Sequence, residues 1–155
     1  DDLKFITEHK NSLGKIVMTN GCFDMLHRGH LEFLEAAKSY GDTLIVAINT
    51  DESVRNLKGA SRPINSLSDR TFLLKSLKYV DFVVCFNEST PLKLYTALCP
   101  DVLVKGGDYE DEKIVGSDLV KANGGEVKIL NFKTGYSTTK KIKDILEKNK
   151  VVNIE

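Results

Sequence analysis

The chain has 155 residues, enough for one domain with a well-buried core and short for two of ordinary size. Its 22 Lys and Arg balance 22 Asp and Glu, so no net field would hold nucleic acid, although local clusters can still bind a small anion. No run approaches the ~20 apolar residues that span a bilayer and no signal peptide is visible, so neither nucleic acid nor a membrane is an expected partner.

Residues 1–14 read as an N-terminal helix or linker, with Leu3, Phe5 and Ile6 among charges before Gly14. The start at Asp1, without methionine, suggests trimming or excision from a longer protein. Residues 15–149 form the expected main domain and 150–155 a fraying tail. The three cysteines, Cys22, Cys85 and Cys99, are odd in number and lack zinc-type spacing, so they read as reduced thiols in a cytoplasm.

Residues 15–19 are apolar and β-branched, as in a strand covered on both faces of a parallel sheet. Leu31, Phe33, Leu34, Ala36 and Ala37 follow at helical spacing, with Glu32, Glu35 and Lys38 left for solvent and Gly41 as a stop. Between them lies a turn carrying Gly21, Cys22, Phe23, Asp24, His27, Gly29 and His30. If both histidines lie in the first helical turn they share a face, where backbone N–H groups are free. Gly21 and Gly29 let the main chain approach a ligand, and the helix start adds partial positive charge, a combination suited to phosphate. Each histidine alone fits a polar helix start bonded to backbone or water. The joint order of strand, glycines, paired histidines and helix points to a phosphate site. Cys22 has no dedicated base, which argues against a nucleophile.

Residues 43–49 form a second buried strand, and the resulting β-α-β unit implies parallel pairing with a right-handed crossover. Residues 50–67 show little periodicity and carry Asp51, Arg55, Lys58, Gly59, Arg62 and Pro63. They are expected to form a functional loop, the alternative being a solvated loop with scattered charge. Ser68 is expected to cap a helix closing near Tyr79, with Phe72, Leu73, Leu74 and Leu77 as its apolar stripe. Residues 82–86 form a third strand. Thr90 and Pro91 supply the N-cap and first position of a helix that runs to Leu98 and stops at Cys99-Pro100.

Residues 102–104 form a fourth strand that delivers Lys105, Gly106, Gly107 and Asp108 beyond its carboxyl end, where ligands bind in open α/β sheets. An ordinary glycine turn is the alternative. A helix over 114–123, a fifth strand over 126–130 and a last helix over 140–148 complete the chain. Ser137 or one of the following threonines caps the last helix, and its start makes either a second anion site or a simple cap. The fold class is α/β, a single Rossmann-like domain with a five-stranded, mostly parallel sheet and helices on both faces.

Asn20-Gly21-Cys22-Phe23-Asp24 followed by His27-Arg28-Gly29-His30 resembles the GxFDxxHxGH signature of the nucleotidyltransferase superfamily, which includes the cytidylyltransferases. Residues 49–54, Leu57-Lys58-Gly59 with Arg62-Pro63, residues 103–109 and Gly135-Tyr136-Ser137-Thr138-Thr139 narrow the resemblance to the D-glycero-β-D-manno-heptose 1-phosphate adenylyltransferases. It covers about residues 15–145. It implies AMP transfer from ATP, the co-substrate, to heptose 1-phosphate by direct in-line attack, giving ADP-heptose for lipopolysaccharide core or related glycan synthesis.

The resemblance further implies catalytic roles for His27, His30 and Lys58. Nucleotide contacts would come from Gly21, Cys22, Phe23, Asp24, Gly29, Ser137, Thr138 and Thr139. Substrate contacts would come from Asp51, Arg62, Arg70, Lys105, Gly106 and Asp108, although Arg70 fits a surface ion pair as well. Mg²⁺ is expected to arrive with the nucleotide. Its ligands are left open, with Asp24 the nearest carboxylate and a hydrogen bond to the turn an equal account of that residue. The implied partners are a small-molecule sugar phosphate and a sugar kinase, separate or fused, and a homo-oligomer is left open. In that family the domain is often the C-terminal half of a protein whose other half is the kinase, for which this chain has no room. Two rivals stand beside this reading. One is a cytidylyltransferase acting on glycerol 3-phosphate or another alcohol phosphate, the other a non-catalytic nucleotide-binding module.

Overall fold

Short runs of β-branched and large apolar residues pair into one sheet because only a layer covered on both faces can bury all of them. In the computed structural model, which describes residues 2–107, 113–131 and 137–152, the strands are β1 (Ile16–Gly21), β2 (Thr43–Asn49), β3 (Phe82–Phe86), β4 (Val102–Gly106) and β5 (Glu126–Leu130). Their order is β3-β2-β1-β4-β5 and every pairing is parallel, so the sheet expected to be mostly parallel is wholly so. Around it stand α1 (Leu3–His9), α2 (Arg28–Lys38), α3 (Asp51–Lys58), α4 (Leu67–Lys75), α5 (Leu92–Leu98), α6 (Ser117–Ala122) and α7 (Thr138–Val152).

The two-residue period of the strands divides the core. Ile16, Met18, Ile45, Ala47, Val84 and Leu103 face Ile6 of α1, Leu94, Tyr95 and Leu98 of α5, and Val120 of α6. Val17, Leu44, Val46, Ile48, Val83, Val102 and Val104 face Phe33, Leu34 and Ala37 of α2 and Leu74 of α4. The chain leaves β1 toward β2 on one side and returns to β4 on the other. The carboxyl ends of β1 and β4 therefore flank the point where strand order reverses, and a crevice opens there.

The structure departs from expectation mainly at element ends. Residues 50–67, expected as a loop, contain α3. Thr50 caps it by accepting the Ser53 N–H, with Asp51 and Glu52 in the first turn and Arg55 and Lys58 in the last, matching the helix dipole. Only Ser53 and Val54 of its eight residues are buried, too few to make a hydrophobic stripe. Ser66, not Ser68, caps α4 by accepting the Asp69 N–H at 3.2 Å, and α4 ends at Lys75, short of Tyr79. Pro91 rather than Thr90 takes the N-cap position of α5.

β1 runs on through Gly21 and β4 through Gly106, so Lys105 and Gly106 lie on a strand end rather than beyond it. α6 is shorter than expected, while α7 starts at Thr138 and reaches Val152, into the segment expected to fray. α2 stops at Lys38 without Gly41. That glycine instead permits a close approach, since a Cβ there would lie 2.6 Å from the Lys15 carbonyl oxygen. Asp108, with Tyr109, Gly135 and Tyr136, lies outside the described residues.

Candidate active site

β1 ends at Gly21 and α2 begins at Arg28, and the turn between them bends sharply enough to place Phe23 and Met25 at φ 48° and 54°. Residues with side chains hold such angles only where surrounding contacts dictate them. Asp24, 2% exposed, supplies several: its carboxylate accepts the Ile64 N–H at 2.7 Å, the Asn65 N–H at 2.9 Å and Arg62 Nε at 3.1 Å. Burial by itself would raise the pKa of this carboxyl. The N–H groups of Asn65 and Ile64, and then Arg62, outweigh it and hold the group below its usual value, so Asp24 is anionic at neutral pH. The Asp24 carbonyl also accepts the Thr138 hydroxyl at 2.7 Å, which docks the start of α7 on the turn.

Arg70 is fully buried. It donates to the carbonyls of Cys22 at 2.9 Å, Asn49 at 2.8 Å and Asn65 at 3.1 Å and to the Asp51 carboxylate at 2.7 Å. One guanidinium thus joins the turn, the end of β2, the start of α3 and the loop before α4, a task suited to its planar fork of donors.

The histidines do not both lie in the first helical turn. His27 is the N-cap of α2 and His30 its third residue, and each caps the other's backbone. The His27 N–H donates to His30 Nδ1 at 3.2 Å, the His30 N–H donates to the His27 ring, and the rings stack at 3.8 Å between centroids. A neutral imidazole that accepts at Nδ1 carries its proton on Nε2, so His30 offers Nε2–H as a donor. Burial, then His27, Lys58 and Lys141, push the His30 pKa down to about 4; burial, then Lys141, lower that of His27. Both rings are therefore neutral at pH 7. Lys141 escaped the sequence reading, although its place three residues after Thr138 puts the two on one helical face.

A cavity of ≈ 180 Å³ opens at the carboxyl ends of β1 and β4. Among the expected site residues, Gly21, Cys22, Phe23, Asp24, His30, Lys58, Arg62, Lys105, Gly106 and Thr138 line it, together with Asn20 and Phe33. His27, Gly29, Asp51, Arg70, Ser137 and Thr139 do not. His27 stacks on His30, Gly29 is buried in the first turn of α2, Asp51 receives Arg70, and Ser137 caps α7 by accepting the Lys140 N–H at 3.0 Å. Gly21 serves packing, because a Cβ there would stand 2.9 Å from the Phe23 ring. The Cys22 thiol donates to Asn49 Oδ1 at 3.6 Å, a contact with an amide and not with a base.

Among the described residues, Lys58, Arg62 and Lys105 face this space against one carboxylate, Asp24, which is already engaged. The lining therefore suits a polyanion. Among the described residues it offers no set of ligands for Mg²⁺. Both Asp24 oxygens are taken by backbone and Arg62, and no group of three or more His, Cys, Asp or Glu able to hold a metal occurs among the described residues. Among those residues, no helix is long and apolar enough to cross a membrane.

The chain is similar to the Bifunctional protein HldE of Haemophilus ducreyi, 59% identical over 92% of this chain and 30% of that protein. It is likewise similar to those of Actinobacillus pleuropneumoniae serotype 5b, 58% over 94% and 31%, and Histophilus somni, 60% over 84% and 28%. The chain thus spans under a third of the length of these relatives. Among solved structures, the lipopolysaccharide core biosynthesis protein of Thermoplasma volcanium matches at TM-score 0.63 and 31% identity, over 80% of this chain and 99% of that one. The pantoate-beta-alanine ligase of Francisella tularensis, at TM-score 0.56 and 22% identity over 89% and 67%, shares the fold. The Cytidylyltransferase-like family model matches residues 18–154, which include both histidines, the cationic cavity and the start of α7, and the chain belongs to that family of nucleotidyltransferases.

Proposed function

We propose that this chain transfers AMP from ATP to D-glycero-β-D-manno-heptose 1-phosphate, releasing pyrophosphate and ADP-heptose for lipopolysaccharide core or related glycan synthesis. The observation that carries the reading is the neutral His30, its Nε2–H available at the lip of a cavity lined by Lys58, Arg62 and Lys105. An oxygen of the acceptor phosphate bonds to the α-phosphorus, and the α–β bridge breaks with its electron pair leaving on pyrophosphate. His30 donates to charge that grows on the transferring group, Lys58 and Lys105 hold anionic oxygens, and Arg62 fixes the turn through Asp24. Any Mg²⁺ that the reaction uses would be carried by the triphosphate rather than held by the described side chains. The identity to the bifunctional relatives supports the heptose acceptor, and a sugar kinase, fused or separate, would supply it in the cytoplasm.

The test is pyrophosphate release with ATP or CTP against heptose 1-phosphate or glycerol 3-phosphate. Turnover with ATP and heptose 1-phosphate is expected to exceed the other three pairings clearly, since a wrong base leaves buried polar groups unpaired. Preference for CTP with glycerol 3-phosphate would replace this reading with a cytidylyltransferase, and nucleotide binding without turnover would leave a binding module.

A further inference from the structure

A second cavity of ≈ 180 Å³ opens beside the first, between the segment that follows β3 and the residues that precede α6. Asn20 and Lys105 line both cavities and so form the wall between them. In a direct transfer between two bound phosphates, the new bond forms where the two ligand spaces meet, and donors at that place act on the reacting groups.

Asn20 sits next to the end of β1, and its carboxamide is held from one side. Its Oδ1 accepts the Tyr95 hydroxyl at 3.0 Å and Lys105 Nζ at 3.3 Å. An ammonium group has only hydrogens to offer, so the amide atom turned toward Lys105 is the oxygen, and Tyr95 donates to that same oxygen. The amide nitrogen is thereby turned away from this pair, and among the described residues it has no protein acceptor. Tyr95 is itself immobilised: it is 1% exposed, and its ring lies so close to Gly116 that a Cβ there would stand 2.6 Å from it.

We propose that Asn20 contacts the reacting ligands, its amide N–H₂ group and the Lys105 ammonium together holding the acceptor phosphate against the α-phosphate. Tyr95 is the positioning residue that keeps the amide oriented with its nitrogen toward the ligand. The inference rests on the adenylyl-transfer reading above. Asn20 donates hydrogen bonds during the step and exchanges no proton, so the bonds made and broken are those already described.

Three variants test it, with pyrophosphate release from ATP and heptose 1-phosphate as the readout. Asn20→Asp keeps an oxygen for Tyr95 and Lys105 and adds an ion pair with Lys105, but it replaces the outward donor with an acceptor that repels phosphate. It is expected to lower kcat/KM for heptose 1-phosphate about 100-fold, against about 10-fold for Asn20→Ala, the range for losing a hydrogen bond to a charged group. Tyr95→Phe, which keeps the ring, is expected to lose about 3-fold. Combined with Asn20→Ala, it should add nothing, because the group it positions is gone.

If Asn20→Asp matched or exceeded Asn20→Ala in activity, Asn20 would be a mere anchor for Lys105 and the proposal would fall. Full additivity of Tyr95→Phe with Asn20→Ala would remove Tyr95 from it. Wild-type turnover with all variants unaffected overturns this inference alone, whereas no wild-type turnover overturns the functional reading and the inference with it.

Discussion

The turn between β1 and α2 and the rim formed by the end of α3 and the start of α7 border the same cavity, yet they use charge in opposite ways. The turn rests on buried ionic groups: Asp24 and Arg70 are 2% and 0% exposed, and they bond to backbone and to Arg62 and Asp51 respectively. The rim places Lys58 and Lys141 in exposed positions, near enough to the imidazoles to depress His30. Charges that are dry and fully bonded set shape, because removing either partner strands the other. Charges that reach solvent remain available to a ligand.

The largest expected effect comes from breaking the buried side. Arg70→Ala leaves three carbonyls and Asp51 without their donor and should cost about 3–5 kcal/mol, read as a lower urea midpoint. A loss below about 1 kcal/mol would mean that water replaces the guanidinium and that the clamp is dispensable. Next is His30→Ala, expected to lower kcat about 100-fold while shifting stability by only about 1 kcal/mol for the lost cap. A variant that raised KM alone would assign His30 to ground-state binding.

Lys58→Ala should reduce kcat/KM about 10-fold and change stability within about 0.5 kcal/mol, the contrast expected of an exposed charge. Thr138→Val sharpens the comparison, since Thr138 lines the cavity yet bonds inward to the Asp24 carbonyl. It should cost about 1 kcal/mol of stability.

A last contrast concerns pH. His30 titrates at about 4 when folded and at its ordinary value of 6.5 when unfolded, so between these values the unfolded chain binds more protons. The contribution of His30 to stability is therefore present above pH 6.5 and lost as pH falls toward 4. His30→Gln should flatten that part of the wild-type profile, measured by thermal midpoints from pH 4 to 7. An unchanged slope would show that the ring is not held neutral by the fold.

Local pattern made much of this protein legible. β2 and β3 begin and end where the sequence places them, because a buried strand writes its burial into consecutive residues, and β5 does so as an edge strand in which Val127 and Ile129 alternate with charged residues. The strand, the histidine pair and the helix of the phosphate turn are adjacent in sequence and could be read together. α3 buries only Ser53 and Val54, too little for an apolar stripe, so its signals stand at its ends: Thr50 as cap, Asp51 and Glu52 in the first turn, Arg55 and Lys58 in the last.

The division of the polar residues lay beyond any local reading. Asp24 and Arg70 look like site groups in sequence. Their partners stand 41 and 48 residues away at Asn65 and Cys22, and the start of α7 meets the turn across 114 residues. Asn20 gives no signal at all until Tyr95, 75 residues on, and Lys105, 85 residues on, are brought to its oxygen. The sequence by itself determined the strands, the phosphate turn with its histidine pair, and the order in which strand, turn and helix follow one another. The parallel sheet decided which polar residues are sealed among protein partners and which are left to face a ligand, because burial and hydrogen bonding are settled by neighbours that only folding supplies.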